Sequence, residues 1–307
     1  MQIADFHCDL LSHLAEDESH TAYDPASRAS IPLLKAGGVA LQTLAIYTQT
    51  ATSSVKKGTK QAEIFFHLSQ KYPAFASEIK TIVSIENASG FCDEKEPLTN
   101  GLERLEEWLK KAGRIAYISL TWNDENRFGG GNATTVGLKK DGLKLLQWMN
   151  KKNIAIDLSH TSDKLAEDIL KATENLDIIP IASHSNFRKV SDHPRNLPDH
   201  LAKEIAARQG LIGLNFVRVF LGSHGPEDFI RQLEHADKLG LLDHFCFGAD
   251  FFADHVLPPE RSYLLPMFNA GFDNASCYPK VVQLLEKHLP HAIMEKIAYK
   301  NLTEFLG

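Results

Sequence analysis

The chain has 307 residues, long enough for two average domains or for one barrel of alternating strands and helices. Its composition, 43% hydrophobic and 23% charged, is typical of a soluble globular protein. The formal net charge is -6 and there is no basic block, which excludes nucleic acid and anionic membranes as expected partners.

Targeting signals and cysteine usage give two further expectations. The sequence begins without a basic segment followed by an apolar run, and nowhere approaches the roughly 18 consecutive apolar residues of a membrane-spanning helix. We therefore expect a cytoplasmic protein. The four cysteines stand far apart without a Cys-x-x-Cys pair, so we expect free thiols and neither a zinc knuckle nor a disulfide framework.

Short apolar runs alternate with segments of helical periodicity along the chain. The runs predict strands at residues 3–6, 39–47, 80–86, 114–121, 154–160, 178–184, 210–216 and 244–250. The periodic segments predict helices at about 30–37, 60–72, 101–112, 138–152, 161–173, 198–208, 227–239, 279–288 and 292–305. Strands that alternate with helices, without a long linker or a change in composition, predict an α/β fold: one (β/α)8 TIM barrel over residues 1–307.

Two loops carry expectations of their own. The triplet Gly129-Gly130-Gly131 lacks the following Gly-Lys-Ser/Thr of a phosphate-binding loop, so we expect a flexible loop on the active-site side. The connection from residue 251 to residue 276 is long for a loop between a strand and a helix. We expect it to act as a lid.

The first predicted strand leads into Asp5-Phe6-His7-Cys8-Asp9. Side chains alternate along a strand, so His7 and Asp9 should point to one side and Cys8 to the other. An imidazole and a carboxylate would then share a cavity, and such a pair suits zinc or a similar first-row metal.

Later strands end in the same chemistry. Glu86 ends the third predicted strand, His160 the fifth, His184 the sixth and Asp250 the eighth. Active sites of (β/α)8 barrels lie at the C-terminal ends of the strands. Each residue alone has an ordinary explanation, such as a helix cap or a surface ion pair, but their coincidence at one end of a barrel indicates a site.

Two ligand sets can be drawn from these residues. His7 and Asp9 would hold one metal, His160 and His184 a second, and Glu86 could bridge them with one oxygen on each. Two divalent ions that share a hydroxide lower its pKa toward neutrality, which gives a nucleophile without a serine or cysteine. The set therefore predicts hydrolytic chemistry.

These residues resemble the membrane (renal) dipeptidases, zinc-dependent dipeptide hydrolases within the amidohydrolase-like barrels. The matching segments lie in the family's order and span nearly the whole chain: Asp5-Phe6-His7-Cys8-Asp9-Leu10, Ser84-Ile85-Glu86-Asn87, Ile156-Asp157-Leu158-Ser159-His160, Ser183-His184-Ser185, Asp192-His193-Pro194-Arg195-Asn196-Leu197 and Gly248-Ala249-Asp250-Phe251.

The resemblance implies two zinc ions per chain, one bound by His7, Asp9 and Glu86 and the other by Glu86, His160 and His184. Manganese, cobalt or iron would also suit such sites. The substrate would be a small dipeptide, including one with a C-terminal D-residue, cleaved by a metal-bridging hydroxide. A homodimer is expected by resemblance only.

The resemblance also implies roles for two further residues. Arg195 would hold the substrate's C-terminal carboxylate, since a guanidinium clamps a carboxylate with two hydrogen bonds and would limit the substrate to a dipeptide. Asp250 would take a proton from the bridging water and pass it to the leaving amine, with Glu86 as the other catalytic carboxylate.

Departures from the family pattern affect the predicted substrate range more than the chemistry. Trp122 stands where the mammalian enzymes have a substrate-binding histidine, so that role is lost or moves to Asn123 or Asn126. Near the eighth strand, Phe252 replaces an acidic residue and Ala253 a glycine.

Two alternatives stay open. A related barrel amidohydrolase would act on a lactone, a cyclic amide or a phosphoester, but such enzymes use His-x-His and a carboxylated lysine on the fourth strand, and residues 115–121 contain no lysine. A barrel that binds a metal or peptide without catalysis would usually have lost a ligand or the proton-transfer acid. Here every one of these positions is filled.

Overall fold

The computed structural model of the chain describes residues 1–254 and 259–307. Within these residues the strands are β1 (Ile3–Cys8), β2 (Val39–Tyr47), β3 (Lys80–Glu86), β4 (Ile115–Ser119), β5 (Ala155–Asp157), β6 (Pro180–Ile181), β7 (Ile212–Leu214) and β8 (Phe245–Phe247). They form a parallel sheet in the order β6-β5-β4-β3-β2-β1-β8-β7, and a parallel bridge between Ala182 and Ile212 joins its two edges. The predicted (β/α)8 barrel is confirmed.

Helices follow the strands around the barrel. Those in the described part of the chain are α1 (Leu10–Glu16), α2 (Ile31–Ala36), α3 (Ser54–Phe66), α4 (Leu68–Lys71), α5 (Ala74–Ser77), α6 (Leu98–Ala112), α7 (Lys140–Met149), α8 (Asp163–Ala172), α9 (Asp199–Ala207), α10 (Arg218–Leu221), α11 (Glu227–Lys238), α12 (Tyr278–Leu285), α13 (His291–Glu295) and α14 (Asn301–Leu306). A π-helical turn, Lys296–Lys300, connects the last two.

The predicted boundaries of the strands and helices differ in accuracy along the chain. β2 and β3 begin and end as predicted. β5 to β8 are shorter than predicted, because the last residues of each run turn away from the sheet into the loops at the top of the barrel. The helix predicted at 60–72 was wrong in its limits: the chain forms α3 and α4 there, separated at His67. The short helices α1, α5 and α10 were not predicted.

Two serines stand at the starts of helices and differ in their contacts. Ser162 caps α8, since its Oγ accepts a hydrogen bond from the backbone N–H of Leu165 at 3.0 Å. Ser30 occupies the N-cap position of α2, but its side chain makes no capping hydrogen bond.

β1 departs from simple alternation near its end. Its register against β2 shifts between Asp5 and Cys8. Phe6 and His7 both contact Tyr117. The ring centroids of Phe6 and Tyr117 are 5.4 Å apart, and Nδ1 of His7 is 2.6 Å from Oη of Tyr117. Cys8 packs in the core between the sheet and the helices. This irregularity, like a β-bulge, turns two successive side chains into the barrel.

Apolar side chains fill the other end of the barrel. This bottom plug consists of Ala4, Phe6, Leu41, Ile82, Ala116, Tyr117, Ala155, Ile181, Leu211 and Cys246 from the strand segments, with Leu302 and Leu306 from α14. All four cysteines of the chain are buried and free, as expected. In the described residues, every helix is too short or too polar to cross a membrane.

Candidate active site

A cavity of about 520 Å³ lies at the C-terminal ends of the strands. Carboxylates and imidazoles at the strand ends form its floor: Asp9, Glu86, His160 and Asp250 line the cavity, and the buried His7 and His184 stand beside Glu86. Loops and short helices after the strands form its walls. The end of the barrel predicted to carry the site therefore has room for a small ligand.

The Glu86 carboxylate lies between two groups of side chains. Its Oε2 is 3.3 Å from Nε2 of His7, and that nitrogen is 3.8 Å from Oδ1 of Asp9. Its Oε1 is 2.9 Å from Nε2 of His160 and 3.8 Å from Nε2 of His184. In each group the ligand atoms lie within 4.8 Å of one another. The structure thus brings both predicted ligand sets together, with Glu86 in both.

Hydrogen bonds at Nδ1 determine which nitrogen two of these imidazoles present. Nδ1 of His160 is 2.9 Å from Oδ1 of Asn123, an atom that only accepts, so Nδ1 carries the proton and Nε2 keeps its lone pair. Nδ1 of His7 is 2.6 Å from Oη of Tyr117, which itself donates to the carbonyl of Phe6 at 3.3 Å. Metal-binding histidines are usually held in this way.

His184 is held by a chain of two side chains. Its Nδ1 is 2.7 Å from Oγ of Ser183, which donates to Oδ2 of Asp157 at 2.7 Å. Asp157 also accepts from the Ser119 hydroxyl at 2.8 Å and from two backbone N–H groups. Because the Ser183 proton points to the carboxylate, Nδ1 of His184 is the donor and its Nε2 faces the cavity floor.

The unpaired atoms of the floor fit a bound cation. In the described part of the chain, Nε2 of His7, Oδ1 of Asp9 and Oε2 of Glu86 are buried without a hydrogen-bond partner. Buried polar atoms are nearly always paired, so three such atoms in one place indicate a cation site. In the other group, Nε2 of His160 and Nε2 of His184 are 3.0 Å apart, and a cation would remove the repulsion between their lone pairs.

Burial shifts the pKa values of these groups toward their neutral forms. It raises the pKa of Glu86 to about 8, and it raises the pKa of Asp9 well above its usual range, with the Glu86 charge adding to the effect. It lowers the pKa of His160 and of His184 well below the usual range. Neutral imidazoles are the form that binds a metal, and a cation would favour the ionised carboxylates.

Asp250 stands at the edge of the first group. Its Oδ1 is 3.6 Å from Nε2 of His7, and its Oδ2 accepts from Nδ2 of Asn215 at 2.9 Å. Burial raises the pKa of Asp250 to about 7. One oxygen is thus fixed and the other faces the floor, an arrangement that suits a proton acceptor.

The backbone turns sharply where the site residues leave their strands. Asn87, directly after Glu86, has φ of 78°, His160 has φ of 66° and Asp250 has φ of 63°. Residues other than glycine rarely adopt this left-handed region, and such strain often accompanies a functional site. Here the turns direct the side chains of the two site residues into the cavity.

Arg195 lies beside the site but does not line the cavity. It is 4% exposed, and its guanidinium carbon is 5.7 Å from the centre of the Phe220 ring. Nη1 donates to Oγ of Ser185 at 2.6 Å and Nη2 to the carbonyl of His184 at 3.0 Å. Among the described residues, its Nε has no hydrogen-bond partner. The predicted role in carboxylate binding therefore remains a prediction.

The two asparagines predicted to bind substrate occupy different positions. Asn123 lines the cavity next to His160. Asn126 is 2% exposed, donates to the carbonyl of Leu120 at 2.7 Å and accepts from the backbone N–H of Phe128 at 2.7 Å. The contacts of Asn126 are those of a residue that shapes its loop.

The residues at which the chain departs from the family pattern lie in the cavity wall. Trp122 and Phe252 both line it, Trp122 with its ring 5.9 Å from that of His160. The connection predicted to be a lid also contributes Leu264 and Met267. Part of that connection, residues 255–258, lies outside the described residues.

A second cluster of histidines, His13 and His20 with Asp24, was not predicted from the sequence. Nε2 of His13 is 3.0 Å from Oδ2 of Asp24. The two imidazole rings are stacked, 4.1 Å apart and within 5° of parallel. His13, His20 and Asp24 are not among the residues described as lining the cavity.

Residues 1–306 match the membrane dipeptidase family, peptidase family M19. The chain belongs to the membrane dipeptidase family. An uncharacterised dipeptidase from Schizosaccharomyces pombe is 28% identical over 211 residues, which are 63% of this chain and 48% of that protein. The match thus spans about half the length of that relative.

Solved structures share the fold of this membrane dipeptidase family member. A metallopeptidase from Rhodobacter sphaeroides, liganded with a phosphinate mimic of L-Ala-D-Ala, has a TM-score of 0.82 at 20% identity, over 100% of this chain and 98% of that one. The dipeptidase AC, another metallopeptidase of family M19, has a TM-score of 0.80 at 21% identity over the same shares. The family membership supports the predicted enzyme class, a metal-dependent hydrolase.

Proposed function

We propose that this member of the membrane dipeptidase family is a dinuclear zinc dipeptidase. The observation that carries the proposal is the position of Glu86, whose two oxygens face two separate groups of nitrogen and oxygen ligands. His7 and Asp9 would hold one cation with Glu86, and His160 and His184 the other. Imidazoles and carboxylates suit zinc, although manganese, cobalt or iron would also bind to them.

The proposed reaction is hydrolysis of the peptide bond of a dipeptide. The cations held by these residues would supply Lewis-acid activation of the scissile carbonyl and would lower the pKa of the water that acts as the nucleophile. Asp250 takes the proton from the nucleophile on its Oδ1 and delivers it to the leaving amine, while Asn215 holds Oδ2. Asn123 keeps His160 in the tautomer that the ligand role requires.

Arg195 is proposed to attract the C-terminal carboxylate of the substrate. Its Nε–H is the guanidinium donor that has no partner in the described part of the chain. The Phe220 ring covers the guanidinium, so direct contact requires that ring to turn aside. We further propose that a C-terminal D-residue is accepted, a proposal supported by the phosphinate mimic of L-Ala-D-Ala bound to the Rhodobacter sphaeroides metallopeptidase.

Metal analysis combined with turnover tests this function. The purified protein should contain two metal ions per chain and should hydrolyse L,L and L,D dipeptides. A chelator should abolish cleavage, and zinc should restore it. One ion or none, without cleavage after zinc is restored, would favour a non-catalytic barrel. Cleavage of lactones, cyclic amides or phosphoesters in preference to dipeptides would favour the related amidohydrolases.

The role of Arg195 has a separate test. The wild-type enzyme should prefer a dipeptide to its C-terminal amide, and Arg195→Met should remove most of that preference through KM, because the amide lacks the negative charge. Lys144→Met, which changes a surface lysine, serves as the control. An unchanged preference in Arg195→Met would contradict the role.

A further inference from the structure

The cavity walls are largely apolar on two sides. One side, here called the apolar wall, consists of Val219, Phe220, Phe252, Leu264 and Met267. The other carries an aromatic pair, Tyr47 and Trp122, with ring centroids 5.4 Å apart. The metal-ligand groups lie between them at the floor. A dipeptide bound at the floor would therefore have an apolar surface available to each of its side chains.

The apolar wall is held together by backbone hydrogen bonds between distant segments. An antiparallel bridge joins Val217 to Phe268, and the backbone N–H of Arg218 donates to the carbonyl of Met267 at 2.7 Å. The Arg218 guanidinium donates to the carbonyl of Leu264 at 3.1 Å. The Phe252 ring packs against Phe268 at a centroid distance of 5.4 Å. These contacts hold Phe252, Leu264 and Met267 in place, and they leave the Phe220 ring able to turn aside.

The aromatic pair is also fixed in place. The backbone N–H of Tyr47 donates to Oε1 of Gln61 at 2.9 Å, and Nε2 of Gln61 donates to the carbonyl of Tyr47 at 2.6 Å. The Trp122 ring lies beside the His160 ring, with 5.9 Å between the centroids and 30° between the planes. An apolar side chain can thus contact a rigid ring surface next to the floor.

Charge is confined to the floor. The residues described as lining the cavity include no lysine or arginine, and the carboxylates among them are Asp9, Glu86 and Asp250. The imidazole of His193 lies beside the Phe220 ring, and burial lowers the pKa of His193, which favours its uncharged form. Arg195 lies behind Phe220 with two of its nitrogens already bonded. A charged substrate side chain on either wall would lose water without gaining a counter-ion, which is costly, whereas an apolar one gains from burial.

We infer that this enzyme selects dipeptides with large apolar side chains at both positions, an inference that rests on the proposed dipeptidase function. The apolar wall lies on the side of Arg195, so it takes the side chain of the C-terminal residue. The aromatic pair takes the side chain of the N-terminal residue. Selection then arises from two separate surfaces that can be altered one at a time.

The test uses the metal-loaded enzyme and two substrate series, Ala-Xaa and Xaa-Ala, with Leu, Phe, Asp or Lys as Xaa. Leu and Phe should exceed Asp and Lys in kcat/KM by at least about tenfold in each series. Phe252→Ser should lower the Leu/Asp ratio in the Ala-Xaa series only, and Trp122→Ser in the Xaa-Ala series only. Leu143→Ser, an exposed leucine on α7, is the control and should leave both ratios unchanged.

The outcomes separate this inference from the proposed function. Cleavage of all dipeptides at similar rates would overturn the selectivity and leave the dipeptidase function standing, and ratios unchanged in both wall variants would overturn the assignment of the walls. If no dipeptide is cleaved, calorimetry with phosphinate dipeptide mimics decides. Tighter binding of the Leu mimic than of the Asp mimic would support the pocket without the reaction, and equal binding would overturn both.

Discussion

The two ends of the barrel are both buried, yet they have opposite chemistry. At the N-terminal ends of the strands, the bottom plug is apolar and is closed by Leu302 and Leu306. At the C-terminal ends, the floor holds carboxylates and imidazoles that are nearly as inaccessible: Glu86 is 2% exposed and His184 is 0% exposed. Burial alone therefore does not distinguish a core from a site.

The distinguishing feature is whether buried polar atoms find partners inside the chain. The plug offers few polar atoms, and Oη of Tyr117 in it is hydrogen-bonded. In the described part of the chain, the floor leaves Nε2 of His7 and Oε2 of Glu86 without partners, while the Nδ1 side of each imidazole is paired. Imidazoles that are hydrogen-bonded at Nδ1 but not at Nε2 indicate a ligand at Nε2, because a buried polar atom without a partner lowers the stability of the fold.

The largest expected effect comes from Glu86→Gln, which tests the top of the barrel. An amide supplies one weak oxygen ligand where the carboxylate supplies two, so metal content should fall and turnover should drop by about 10²- to 10³-fold or more. Without metal, the variant should be at least as stable as wild type, since it no longer buries a carboxylate. Metal analysis, kinetics and urea denaturation measure these effects.

Glu96→Gln is the matched control. The Glu96 carboxylate pairs with the Arg104 guanidinium at a distance of 2.9 Å, and neither residue lines the cavity. This variant should retain metal and turnover. A Glu86→Gln protein that unfolds would show that Glu86 supports the fold, and one that keeps both ions would contradict the role of Glu86 as a metal ligand.

The bottom of the barrel should respond in the opposite way. Leu302→Ala removes buried apolar volume from the plug and should lower the free energy of unfolding by about 2 to 5 kcal/mol. The folded, metal-loaded variant should keep the kcat of wild type, because Leu302 lies in the plug and is not among the residues that line the cavity. Denaturation with urea and kinetics at a temperature where the variant is folded measure both quantities.

Glu304→Ala, at an exposed position of the same helix, controls for effects of α14 itself. It should change the free energy of unfolding by no more than about 0.5 kcal/mol. Loss of kcat in Leu302→Ala with an unchanged unfolding free energy would contradict the separation of the two ends.

The sequence could predict most of the floor because one rule covers all its members except Asp9. His7, Glu86, His160, His184 and Asp250 each follow an apolar run, and strand ends in a (β/α)8 barrel meet at one face. The same rule, together with alternation along β1, separates Cys8 from the floor. No contact between distant residues had to be known.

The supporting residues could not be predicted in this way. Asp157 reaches Ser119 because β4 and β5 pair them directly, and it reaches Ser183 across the neighbouring strand. Such pairs depend on the register between strands, which a single sequence does not reveal. The burial of Arg195 behind Phe220 depends on α10, a helix of four residues without a clear periodic pattern. The left-handed backbone conformation of His160 could not be predicted either, because no glycine or turn motif marks that position.

The support of His184 gives a smaller and more specific effect. Ser183→Ala removes the hydroxyl between His184 and Asp157 and should weaken metal binding by about 10- to 100-fold. Ser119→Ala removes another hydroxyl from the same carboxylate but touches none of the histidines, so it should leave metal affinity near that of wild type. Competition with a calibrated chelator measures both. Equal losses in the two variants would mean that Asp157 acts through the fold and not through His184.

The smallest effect is expected at Tyr117, the residue that belongs to both ends. Its ring packs edge-on against Phe6 of the plug, and its hydroxyl meets Nδ1 of His7. Tyr117→Phe keeps the packing and removes only the hydroxyl, so metal affinity should fall by less than in Ser183→Ala. The reason is that the tyrosine hydroxyl is backed by the neutral carbonyl of Phe6, whereas Ser183 is backed by a carboxylate, and charge-assisted hydrogen bonds are the stronger ones. The same chelator competition ranks the two variants, and a larger loss in Tyr117→Phe would show that the hydroxyl of the plug, and not the Asp157 charge, is the main support of the floor.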